Sequence, residues 1–151
     1  DSGLIIHDLP ALPQFPPTVS ISAVEPEDCA VTLLAYGFQA TQAARLITDL
    51  AVESETFVQL LVPSQIAPLD FSPVLDCVSR TGRLITFEEG TAGWAWGTEV
   101  AAHVQRELFG KLAAPVQVLT SAADIIPSSR DLETAMLVGI QQLAGAVREI
   151  M

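Results

Sequence analysis

Glu88 and Glu89 stand side by side after the apolar run "RLITF" (83–87), and a loop carrying Gly90, Gly93 and Gly97 follows them directly. Crowded carboxylates separate in pKa, so one can keep a proton near neutrality and serve as a general acid while its neighbour stays charged. Adjacent residues at a strand end point to opposite sides, which sends this pair apart rather than toward one substrate. Glycines between a strand and a helix can instead cradle phosphates, given G-x-G-x-x-G or G-x-x-x-x-G-K-[ST] spacing. Here the spacing is G-x-x-G-x-x-x-G, Trp94 and Trp96 occupy places where a phosphate needs bare backbone, and the lone lysine is Lys111. His7 and His103 have no nucleophile elbow or metal-ligand spacing near them, and Cys29 and Cys77 read as buried reduced thiols. Residues 88–97 therefore read as a joint. Glycine frees the turn, while two indoles offer apolar area that contacts another domain or subunit or else folds back on the chain's own helices. Tyr36, ending an earlier strand before Gly37, shares that reading. The candidate interface residues are Tyr36, Glu88, Glu89, Trp94, Trp96 and Asp124, with no catalytic, cofactor-binding or metal-binding residue assigned.

The elements that must hold these residues alternate along the chain. "AVTLLAYG" (30–37) is a short apolar run suited to a strand covered on both faces, and "FQATQAARLITDLAVES" (38–54) sets Ala40, Ala43, Ala44, Ile47, Leu50 and Ala51 on one helical stripe. Strand 56–62 precedes helix 72–81, with Ser72 as its N-cap and Pro73 in the first turn. Strand 83–87, helix 97–110 burying Val100, Ala101, Val104 and Leu108, and strand 115–120 follow. The last stretch is helical, capped by Ser128 or Ser129 and broken or bent at Gly139. Strands alternating with helices imply a three-layer α/β/α sandwich around a mostly parallel sheet. Ligands and partners gather at the carboxyl ends of such strands, where Glu88, Glu89 and the glycine loop lie. Residues 1–28, with Pro10, Pro13, Pro16, Pro17 and Pro26, read as an extended linker or arm, and residues 29–151 as the folded domain.

Composition narrows the function classes. A chain of 151 residues makes about one domain with its own core. Seven Lys and Arg against eighteen Asp and Glu give a net charge of −11, which repels nucleic-acid phosphates and anionic lipid. Mean hydropathy is +0.42, yet no apolar run reaches the ~18 residues of a membrane span. Asp1-Ser2-Gly3 lacks the basic start of a signal peptide, so the reading is a cytoplasmic or organelle-matrix protein whose sequence begins within a longer chain.

Beyond these patterns, "VTLLAYGFQATQAARLITDLA", "PLD" (68–70), "SRTGRLITFEE" (79–89) and "GTEVAAHVQRELFGKLAAPVQVLTSAADIIPSSRDLE", in this order and spacing, resemble the C-terminal domain of transketolase-like thiamin-diphosphate enzymes. The likeness is closest to the β subunit of the 2-oxo acid dehydrogenase decarboxylating component, of pyruvate or branched-chain type, and covers about residues 29–151. It implies a five-stranded, mostly parallel sheet with one antiparallel edge strand. It also implies that thiamin diphosphate and Mg²⁺ are held by other domains and not by this segment. The implied partners are an N-terminal domain of the same chain, an α subunit in an α2β2 heterotetramer, and a small basic binding domain of an acyltransferase core. Such a domain serves assembly and is inactive alone. Transketolase, deoxyxylulose-phosphate synthase and a stand-alone α/β ligand-binding module are the alternatives. The sequence departs from the family at Val62-Pro63-Ser64, where relatives carry Asp-Leu-Arg, at the shortened turn Asp124-Ile125-Ile126-Pro127, and at the tryptophan-flanked loop.

Overall fold

The computed structural model describes residues 3–151. Its strands are β1 (Ile5–Asp8), β2 (Thr18–Ser22), β3 (Val31–Ala35), β4 (Val58–Pro63), β5 (Leu84–Thr91) and β6 (Gln117–Ser121). The helices are α1 (Gly37–Ser54), α2 (Ser72–Thr81), α3 (Trp96–Glu107), α4 (Arg130–Met136) and α5 (Ile140–Ile150). One sheet runs in the order β1-β2-β4-β3-β5-β6, with β4, β3, β5 and β6 mutually parallel.

Period-two alternation in the central strands feeds two apolar cores. Val31, Leu33, Ala35, Leu60, Ile85 and Phe87 pack under α1 and α5, while Leu34, Leu61 and Leu84 pack under α2 and α3 with Val74, Val78, Val100 and Val104. This is the α/β/α sandwich expected from the alternation. Of the expected helical stripes, Ala40, Ala43, Ile47, Leu50, Val100, Val104 and Leu108 are buried, and Ala44, Ala51 and Ala101 are half-buried.

The expected five strands and single antiparallel edge require correction: the sheet has six strands, and its antiparallel margin is a ribbon of two. β1 and β2 both come from the segment expected as a linker. The prolines at 10, 13, 16 and 17 fall between β1 and β2, where no ladder needs their missing donors. β2 inverts the usual pattern, burying Thr18, Ser20 and Ser22 and leaving Val19 and Ile21 half-exposed. Its buried hydroxyls are used inward, as the fully buried Gln59 Nε2 donates to Ser20 Oγ at 2.8 Å and Arg80 donates to Gln59 Oε1.

The start of α2 differs from expectation as well. Ser72 is the first helical residue, and Asp70 accepts from its N–H at 3.0 Å and its hydroxyl at 2.7 Å. Asp70 Oδ2 also accepts the Leu12 N–H at 2.8 Å, tying the proline-rich turn to the head of α2. Burial alone would raise the Asp70 carboxyl; the Ser72 hydroxyl and the two N–H donors outweigh it and hold the group below its ordinary value. At the other end of the chain Gly139 breaks the helix, separating α4 from α5, and Gln142 Oε1 accepts the Gly139 N–H at 3.1 Å.

Candidate functional site

β5 continues through Thr91, so Glu88 and Glu89 lie inside a strand and alternate across it. Glu88 falls on the α3 side with Leu84 and Thr86 and is only 2% exposed, whereas Glu89 faces water. A carboxyl so deeply buried is tolerated only if its oxygens find partners. Glu88 Oε2 accepts the Tyr36 hydroxyl at 3.1 Å and the Trp96 N–H at 3.2 Å, and Oε1 accepts the Gly97 N–H. The carboxylate thereby takes two free N–H groups of the first turn of α3, where the helix dipole also favours an anion.

Two of the loop glycines make this seat possible. A Cβ at Gly97 would lie 2.9 Å from Glu88 Oε1 and clash with the Thr86 hydroxyl, and one at Gly90 would lie 2.7 Å from Glu88 Oε2. The Thr86 hydroxyl is the one buried side-chain polar atom without a partner among the described residues, pressed against the α3 backbone at Gly97. The glycines that resembled a phosphate cradle therefore admit the chain's own carboxylate. A diphosphate does not fit here, because Glu88 already fills the helix N-terminus and would repel it. Among the described residues no group of three or more His, Cys, Asp or Glu is placed to hold a metal ion.

The two tryptophans part company. Trp96 packs edge-on to Tyr36, with centroids 5.2 Å apart and planes at 88°, and its Nε1–H donates to Ile66 O at 2.8 Å. It also forms a wall, with Ile66, Pro68, Phe71 and Glu99, of a cleft of about 270 Å³. Trp94 is 95% exposed at the tip of the turn. Asp124 is exposed too, its Oδ1 accepting only the adjacent Ile125 N–H at 2.7 Å. Glu88 and Glu89 lie in the carboxyl-terminal half of β5, and Tyr36, Trp94, Trp96 and Asp124 lie just beyond the carboxyl ends of β3, β5 and β6. The fold joins Tyr36, Glu88 and Trp96 into one cluster and leaves Glu89, Trp94 and Asp124 outside it.

This cluster is built to hold shape. Burial, followed by the charge and hydrogen bond of Glu88 and the charge of Glu89, raises the Tyr36 phenol above its ordinary value, so it stays protonated and donates. His103 stacks on Phe71 at 3.7 Å between centroids and contacts Arg106 at 3.0 Å, on a separate stretch of α3. Cys29 and Cys77 are free and buried. Burial, opposed by Arg80, pushes the Cys29 thiol up to about 11 and moves Cys77 in the same direction, so neither is a ready nucleophile. The sequence offered no role for Asp70, Gln59 or Arg80; the Asp-x-Ser step at 70–72 was the one local cue, an oxygen two residues before a helical N–H.

A family model described as "Transketolase, C-terminal domain" matches residues 22–143, well over half of the chain. The chain belongs to the transketolase C-terminal domain family. Three relatives show where such domains occur. The pyruvate dehydrogenase E1 component subunit beta of Rhizobium meliloti is 27% identical, covering 95% of this chain and 31% of its own length. The acetoin:2,6-dichlorophenolindophenol oxidoreductase subunit beta of Cupriavidus necator is 28% identical, covering 80% and 36%. The 3-methyl-2-oxobutanoate dehydrogenase subunit beta of Mycobacterium tuberculosis is 27% identical, covering 89% and 38%. The chain thus spans about a third of the length of these relatives. Among solved structures, a split-gene transketolase described as an inactive beta4 tetramer superposes with a TM-score of 0.64 at 21% identity, over 80% of this chain and 38% of that one. That likeness shows the fold. Among the described residues, no helix of this transketolase C-terminal domain is long and apolar enough to cross a membrane.

Proposed function

We propose that the chain is the C-terminal assembly domain of a β subunit of a thiamin-diphosphate-dependent 2-oxo acid dehydrogenase. It contributes subunit contacts rather than reacting groups, and alone it is inactive. The observation that carries this reading is the Glu88 seat. The buried Glu88 carboxyl at this end of the sheet is held by three of the chain's own donors, while Trp94, Glu89 and Asp124 stand exposed outside that cluster. Matches to β subunits three times longer support a domain working within a larger protein.

Thiamin diphosphate with Mg²⁺ would supply the decarboxylation chemistry of such an enzyme. In this reading both sit on another domain or subunit, and residues before β1 connect to an N-terminal domain. The α subunit of an α2β2 assembly covers the margin that carries Tyr36, Glu89, Trp94 and Asp124. A chain of net charge −11 also suits a small basic docking domain of an acyltransferase. Cytoplasm or organelle matrix is the compartment proposed. Relatives named for pyruvate, acetoin and 3-methyl-2-oxobutanoate chemistry match equally well, so the proposal stops at the reaction class.

Co-expression of the gene's full product with its candidate α partner, followed by a decarboxylation assay with added thiamin diphosphate, tests the reading. A stable complex that decarboxylates a pyruvate-like or branched-chain acid is expected. Turnover by the 151-residue chain alone, or a full product that neither joins an α partner nor decarboxylates, would contradict it.

A further inference from the structure

The antiparallel margin of the sheet leaves a hollow beside α1. On that face α5 packs over β5 and β6 and α1 over β3 and β4, so β2 lies at the open side of α1. The wall that α1 turns toward β2 carries small residues at helical spacing, Gly37, Ala40, Thr41, Ala44 and Thr48, with Arg45 among them. The floor is Leu4, Ile21 and Val62, half-buried against the α1 core. Together they bound a groove of about 510 Å³. Small-ligand sites run from about 300 to 1,000 Å³ and are apolar with a few placed polar groups. The inverted burial of β2 belongs to this groove: Ser20 is spent on Gln59 under the sheet, which turns Ile21 to the hollow and leaves it half-exposed.

Three polar side chains, Thr41, Arg45 and Thr48, follow one another along the α1 wall, each a helical turn from the next. Among the described residues none of them makes a hydrogen bond, and Arg45 has no ion pair, although Asp49 stands exposed one turn further on. A helical threonine can return its hydroxyl to the carbonyl four residues back, as Thr134 does to Arg130; Thr41 and Thr48 do not. An apolar occupant that covers Ile21 and Val62 also strips water from the adjoining guanidinium, which is costly unless the occupant brings an anion. A carboxylate meets the planar fork of Arg45 with two parallel hydrogen bonds and accepts from a flanking hydroxyl. The dimensions favour a small molecule over a subunit, since nine residues line the groove against about 20–30 a side in a stable protein contact.

We infer that the groove between α1 and β2 binds a small amphipathic carboxylate, its charged group on Arg45 between Thr41 and Thr48 and its aliphatic body on Leu4, Ile21 and Val62. The groove lies on the opposite face of the sheet from the Glu88 seat, and none of Tyr36, Glu89, Trp94 and Asp124 lines it. It stands independently of the thiamin-enzyme reading.

Amide NMR titrations of the 151-residue chain with octanoate, octan-1-ol and octylammonium test it, with circular dichroism confirming that each variant is folded. Octanoate is expected to bind saturably, shifting the amides of Ile21, Thr41, Arg45 and Thr48, and about tenfold more tightly than octan-1-ol. Arg45→Gln removes that preference by weakening octanoate about tenfold while leaving octan-1-ol unchanged. Arg45→Glu, at an exposed position, reverses it in favour of octylammonium. Ala44→Phe fills the hollow and abolishes binding of both octanoate and octan-1-ol. The gene's full product should keep the octanoate preference of the 151-residue chain. No saturable octanoate binding, equal binding of octan-1-ol, indifference to both Arg45 changes, or loss of binding in the full product, where another part of the protein would then fill the groove, would overturn the proposal.

Discussion

At the end of β5 a buried carboxylate, two backbone N–H groups, a phenol and an indole close on one another, whereas a few residues beyond β6 Ile125, Ile126 and Leu132 stand in water. Both places lie at the same end of the sheet, where α/β folds keep their ligands. The Glu88 carboxyl of the seat is engaged by three donors of the chain itself, which ties β5 to the head of α3. The β6–α4 margin leaves its apolar groups unused, and unused groups are what a partner can cover. Function in this domain is therefore sought where the chain has failed to satisfy itself.

Breaking the seat has the largest expected effect. Glu88→Ala leaves the buried Gly97 N–H without its acceptor and removes the shared acceptor of the half-exposed Tyr36 hydroxyl and Trp96 N–H, at a cost of about 3 kcal/mol in urea unfolding. A smaller loss would mean that water reaches the seat. Trp96→Ala removes the Tyr36 contact and the hydrogen bond to Ile66 O, and should cost roughly 2 kcal/mol by the same measurement. The matching change two residues earlier sharpens the contrast: Trp94→Ala should stay within about 0.5 kcal/mol of wild type, since its ring touches little within the chain.

Between those two lies Asp70→Asn, with an expected loss of about 1 kcal/mol at neutral pH from the weakened head of α2. Here the pH dependence has a definite sign. The folded Asp70 carboxyl sits below its unfolded value of about 3.9, so its contribution is complete above that pH and fades as pH falls through the folded value. Stability curves of wild type and Asp70→Asn should therefore converge in acid and separate toward neutrality. Parallel curves across that range would deny Asp70 its role.

Much of this architecture was legible because central strands and their helices obey simple periods: Val31, Leu33 and Ala35 alternate, and Ala40, Ala43, Ile47 and Leu50 recur every three or four residues. β2 escaped because its buried face is Thr18, Ser20 and Ser22, so the alternation reads backwards, and because prolines in the adjoining turn suggested an arm. The divergence of Glu88 and Glu89 followed from strand geometry alone. The donors that hold Glu88 did not, since they are backbone groups of a helix eight and nine residues on and a hydroxyl fifty-two residues back. Asp70 was hidden for a similar reason, as half of its role is a bond to Leu12 across fifty-eight residues. For the tryptophans, spacing gave the turn, and only packing separates the ring that folds back from the ring that stands out.

Hydroxyl-radical footprinting of Trp94 tests the assembly reading most directly, comparing the gene's full product alone with the same protein joined to its α partner. Trp94 should oxidise readily in the free protein and become protected in the complex, while Trp96, already shielded by Tyr36 and Ile66, changes little. Equal oxidation of Trp94 in both states would contradict the claim that this margin of the sheet is covered by another subunit.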